Sequence, residues 1–144
     1  MARSEVKGVR ETANALRALA SGLTPPMLDD VRAQALQPIQ RSAQEHFVSN
    51  GSYKTGVIPS EFVIVKKGRQ EHALTCTGMA AKLMHMIEFG TAAHQQPNRG
   101  VWHPGAEPKP AFRPAYEDSS TAAMDTAGRA IATYLNRIAA AQRR

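Results

Sequence analysis

At 144 residues and 15.6 kDa the chain is one domain by length, a size that buries roughly 70% of its unfolded surface. Its 42% hydrophobic and 21% charged residues exclude wholesale disorder, and no apolar run is long enough to span a membrane. The net charge of +6 raises the question of a nucleic-acid partner, but no stretch of the chain concentrates the basic residues, so a solvated basic surface is the preferred reading.

The opening MARSEVKGVRE has no apolar stretch after its charges, so no secretory signal is expected. Periodicity predicts a first helix over 3–22, with Val6, Val9, Ala13, Leu16 and Ala20 on one face. Ser21-Gly22 offers a stop and Thr24-Pro25-Pro26 a new start, with Thr24 placed to cap. The second helix, 26–49, carries Leu28, Val31, Ala35, Leu36, Ile39, Ala43 and Phe47 along one side. Pro38 is expected to bend or break it near Gln37.

After Asn50-Gly51-Ser52 the pattern turns to strand. Val57-Ile58, residues 61–65 and residues 72–77 are predicted strands, the last two joined by Lys66-Lys67-Gly68-Arg69 as a hairpin. Pro59 fits only an edge or a bulge. Residues 79–88 place Leu83, Met84 and Ile87 on a short helical face. Residues 91–110, rich in Pro and Gly, read as a long exposed loop, and Pro114 to Ala141 as a last helix with Ala123, Ala127, Ile131, Tyr134, Leu135 and Ile138 buried. The expectation is an α+β domain over 1–144: two N-terminal helices, a small antiparallel sheet, a long loop, and a C-terminal helix packed on the sheet.

No catalytic, cofactor or metal site is expected. Cys76 stands alone on a strand and reads as a small buried hydrophobe. His85, His94 and His103 recur every nine residues near Glu88, whereas structural metal ligands come in closer pairs; only loop flexibility would bring His94 and His103 together. Asp29-Asp30 and Glu117-Asp118 lie in opening helical turns, where the helix dipole favours them. There is no phosphate loop and no GxSxG, so the chain is not expected to be an enzyme.

The most informative stretch is Ile87–Ala115, IEFGTAAHQQPNRGVWHPGAEPKPAFRPA. Glu88, Phe89, Gly90 and Thr91 place a charge, an aromatic, a flexible backbone position and a hydroxyl at the end of one element. Phe112, Arg113, Pro114 and Ala115 start the next, with Pro114 near the first helical position. Trp102, the only tryptophan, is either folded back on its core or an interface anchor.

Taken in order, E-F-G-T, a variable loop, F-R-P-A and a last helix resemble the signature of small tail-component, neck or tail-completion proteins of long-tailed phages and prophages. Thr55-Gly56-Val57 agrees with a T-G common before the first strand in that family. Two departures stand out: the usual adjacent proline and aromatic are here Pro110-Ala111-Phe112, and the loop is long. The resemblance implies a virion structural protein of the head–tail junction, made in the host bacterial cytoplasm. It implies a ring subunit, expected as a hexamer, that helps join capsid to tail and lines the DNA passage, with connector, tail terminator or tail tube proteins as partners and no membrane. The candidate interface residues are Trp102, His103 and Arg99; the candidate DNA or partner contacts are Lys66, Lys67, Arg69, Arg143 and Arg144. The alternatives are a tail terminator capping the tail tube and a small basic DNA-binding protein.

Overall fold

Two long helices form the frame. The structure, a computed structural model, describes residues 9–52, 57, 59–96 and 99–141. Helix α1 (Val9–Gly22) leads into α2 (Pro25–Ser49), and the C-terminal helix α4 (Phe112–Ala141) lies along α2. Pro25 and Pro26 occupy the first helical positions, where a missing N–H costs nothing. Thr24 has the extended backbone of a cap residue, yet its hydroxyl makes no cap bond; its carbonyl accepts from Leu28 N at 3.1 Å. Pro38 does not break α2, which is helical on both sides of it.

The sheet on this frame is small. A single 3-10 turn, Pro59–Glu61, leads into β1 (Phe62–Lys66), which pairs antiparallel with β2 (His72–Cys76). Val57 is not in a strand as expected, although it is fully buried in the core; Ile58 lies outside the described residues. Helix α2 holds the hairpin by side-chain amides: Gln40 Nε2 donates to Phe62 O at 2.6 Å and Gln44 Nε2 to Pro59 O at 3.0 Å. Helix α3 (Gly78–Phe89) follows β2 directly.

The core joins Ala43, Phe47, Val57, Phe62, Ala80, Met84, Ala111 and Ala115. Phe47 meets Phe62 edge-on at 5.2 Å, and Phe112 reaches the same ring at 5.2 Å, so the start of α4 packs on the sheet. Phe47 and Phe62 are fully buried, which contributes about 1.5–3 kcal/mol each. Four core alanines are 0% exposed, which lets the elements approach closely around few large side chains. The chain is α+β, with helix dominating.

Several sequence expectations change at the periphery. Leu16, on the apolar face predicted for the first helix, is 62% exposed because α1 touches mainly α4; Gly22 provides the close approach, since a Cβ there would stand 2.8 Å from Ile138. Ile131 is exposed as well, and Ala130 takes the buried position beside it. The acidic pairs do not serve helix starts. Asp29 binds Lys66 and Arg32, Asp30 accepts from Tyr134 Oη at 2.5 Å, and Asp118 meets His46 at 2.8 Å, so they tie elements side to side.

Candidate assembly surface

The start of α4 is built by a residue 23 positions upstream. Glu88 Oε2 accepts from Ala111 N at 2.7 Å and Phe112 N at 3.1 Å, and Oε1 from Arg113 N at 3.0 Å. A helix N-terminus leaves its first N–H groups unsatisfied and carries partial positive charge, so a carboxylate there answers both needs. Helix α3 begins the same way: Glu61 accepts from Met79 N at 3.0 Å and Ala80 N at 2.8 Å. Gly78, at φ +55°, has to be glycine because a Cβ would strike the Glu61 carboxylate. Helix α4 opens at Phe112, so Pro114 is its third residue and not its first; it still lies inside the first turn, where no N–H is missed.

The expected loop over 91–110 holds a paired arm. Strands β3 (His94–Gln96) and β4 (Val101–His103) run antiparallel in the register His94↔His103, Gln95↔Trp102 and Gln96↔Val101. The bridge Thr91↔Ala106 continues that register at the neck, with reciprocal bonds of 2.9 and 3.0 Å. Two glycines allow the neck to close. A Cβ on Gly90, at φ +73°, would stand 2.5 Å from Ala106 O, and one on Gly105, at φ +90°, would strike Thr91 O. Behind the neck, Lys109 N donates to Ile87 O at 2.7 Å, and Asn50 Nδ2 donates to Lys109 O at 3.1 Å.

The arm presents its candidates outward. Trp102 is 69% exposed, which resolves the alternative left open by sequence in favour of a surface residue; Val101 and Arg99 are exposed beside it. Phe89, at the foot of the arm, is 68% exposed. His103 stacks on His94 at 5.2 Å across the strands, so the two are brought together by pairing rather than by flexibility. His94 Nδ1 donates to Ala92 O at 2.9 Å, whereas His103 Nδ1 accepts from Gly105 N at 3.0 Å. His85 is exposed on α3, and among the described residues no group of three or more His, Cys, Asp or Glu gathers. Beside the neck, Leu83, Met86, Ile87, Thr91, Ala106 and Glu107 border an open, mainly apolar groove of about 390 Å³.

Three of the basic candidates, Lys66, Lys67 and Arg69, come together at the β1–β2 turn. Lys66 is bound to Asp29, whose carboxyl it holds below the ordinary carboxylate value; Lys67 and Arg69 are exposed on the β1–β2 turn. Arg143 and Arg144 lie outside the described residues, as does the Thr55-Gly56 pair. Lys66 and His72 also border an open cleft with Gln37, Gln40 and Arg41 of α2. Cys76 is half-buried, and burial, then Glu61 and Glu88, push its thiol up to about 11. No helix among the described residues is long and apolar enough to cross a membrane.

Sequence reading picked out Glu88 but not what it does, and passed over Glu61 and Asn50 as anchors. A local capping box would have been visible as a short spacing; a carboxylate supplied from another element leaves no such spacing. No family model, curated protein or solved structure matches the chain.

Proposed function

We propose that the chain is a structural subunit of the head–tail junction of a long-tailed phage, a neck or tail-completion ring component through which DNA passes. One observation carries the reading: the residues of the resemblance form a single device. Glu88 starts α4, Gly90 and Thr91 close the neck of the arm, and Phe112 and Ala115 fix the helix to the core. The device holds out a paired arm bearing exposed Trp102 and Arg99, which suits a part whose work is to be joined to others. A tail terminator would share this build and differ only in touching the tail tube. A DNA-binding module is less well supported, because Lys66 already spends its charge on Asp29.

Imaging of assembled particles tests the reading. The chain is expected as a ring between capsid and tail, and its deletion is expected to leave heads and tails unjoined. Its absence from particles, or its dispersal along the tail as monomers, would overturn the proposal.

A further inference from the structure

The arm and the groove are complementary, and they lie on the same chain. Trp102 is a large, flat, solvent-exposed side chain at 69% exposure, and the groove floored by Leu83, Met86 and Ile87 is open and apolar. The arm does not fill its own groove. Thr91 and Ala106 belong both to the groove's wall and to the arm's neck, whereas Trp102 stands on β4, past Pro104 and Gly105, and does not border the groove. A knob held away from the socket of its own chain is free to enter that of another.

We propose that the arm of one copy inserts Trp102 into the Leu83–Met86–Ile87 groove of the next copy, head to tail. This rests on the reading of the chain as a ring subunit. Because knob and socket are different surfaces, the contact is heterologous, and such contacts close into rings when the rotation permits. The charges permit it: Arg99 is the only formal charge between Thr91 and Ala106 at neutral pH, and the groove's rim carries Glu107, which has no ion pair among the described residues, as well as Lys109. Area also agrees with ring closure over a free-standing pair. An aromatic side chain buries about 150–250 Å², well short of the ~800 Å² per partner of a stable interface. One arm contact is therefore weak, and a closed ring gives every copy two.

Disulfide trapping tests the contact on the full chain. Both cysteines are introduced into a Cys76→Ser chain, so that the half-buried native thiol takes no part. A chain carrying both Trp102→Cys and Met86→Cys, oxidised gently with a glutathione couple, is expected to give a ladder of linked multimers on a non-reducing gel. Each single variant is expected to remain monomeric. Three results would overturn the proposal: a disulfide closed within one chain, dimers formed as readily by Trp102→Cys alone, or no ladder up to the solubility limit. Since Trp102 is the only tryptophan, the unmodified chain gives a second readout that needs no variant. Its emission is expected to shift to the blue as sedimentation shows assembly with rising concentration, and assembly without that shift would also overturn the proposal. Failure here is separable from failure of the junction reading: a ring seen in particles without this crosslink keeps the function and removes the contact, and a ladder from a chain missing from particles does the reverse.

Discussion

Replacing Glu88 by alanine should cost the fold about 2–4 kcal/mol. Three backbone donors lose their acceptor: the N–H groups of Ala111, Phe112 and Arg113. Loss of a helix N-cap typically costs about 1 kcal/mol. Arg113 is exposed and its N–H can turn to water, but Ala111 is 0% exposed and its N–H cannot. A buried donor left without a partner adds about 1–3 kcal/mol. Glu88→Gln keeps one acceptor oxygen and loses the charge, and charge-assisted bonds are about twice as strong as neutral ones. It should fall near the middle, at about 1–2 kcal/mol.

Urea unfolding followed by circular dichroism measures this directly. With a slope of about 2 kcal/mol per molar, the alanine variant should unfold about 1–2 M earlier, and the glutamine variant about half as much. Glu61→Ala, which removes two bonds at the start of α3, should lie between them. An alanine variant within about 0.5 kcal/mol of the native chain, at unchanged slope, would put Glu88 in the class of ordinary surface residues. The account of the signature as a fold-specifying device would then be wrong.

Gly90→Ala forces a positive φ on a residue that resists it and drives a Cβ against Ala106 O, costing about 1–3 kcal/mol in strain. Hydrogen exchange should quicken at Thr91 and Ala106 and stay slow in α2 and α4; unchanged exchange at the neck would contradict the geometry. Native Cys76 should react with a disulfide reagent about 10-fold more slowly near pH 8 than an unperturbed thiol, because the rise from 9.0 to about 11 removes thiolate faster than the added nucleophilicity restores rate; rapid labelling of the folded chain would refute its burial. Lys66 holds the Asp29 carboxyl below 3.8, so what that pair contributes is complete above this value and is lost as pH falls through the lowered one. Asp29→Asn should therefore be less stable than the native chain near neutral pH and converge with it in strong acid, and a gap that persists in acid would point elsewhere. Trp102→Ala should leave the urea midpoint within about 0.5 kcal/mol of native while abolishing assembly; equal loss of both would make Trp102 a packing residue.

Local pattern carried most of the elements. Helix periodicity located α2 and α4 to within two residues, and β-branched runs around Lys66–Arg69 placed both strands of the first hairpin. Burial was harder to read. Leu16 and Ile131 carry the right spacing for a core stripe, yet spacing says nothing about how far a neighbouring helix extends, and both are exposed. The second hairpin escaped because its strands are three residues each, and His94, Gln95 and Gln96 have no β-forming bias. Its pairing follows from a tertiary fact, the closure of the neck by Gly90 and Gly105. The acidic residues show the same limit. Asp29 and Asp30 were assigned to a dipole at short range, but their partners, Lys66 and Tyr134, are far off in sequence.

Stability and the proposed joining fall on different residues of one segment. Glu88, Gly90, Gly105 and Phe112 are held by backbone groups and core rings, where substitution disturbs the fold. Trp102, Val101 and Arg99 touch little within the chain, so the fold places few demands on them. The pairing of the arm is main-chain bonding, which accepts many side chains on either face. An arm of this kind can change what it grips without changing how it is held. That division would let the ends of the segment stay fixed while the stretch between them varies in length and composition.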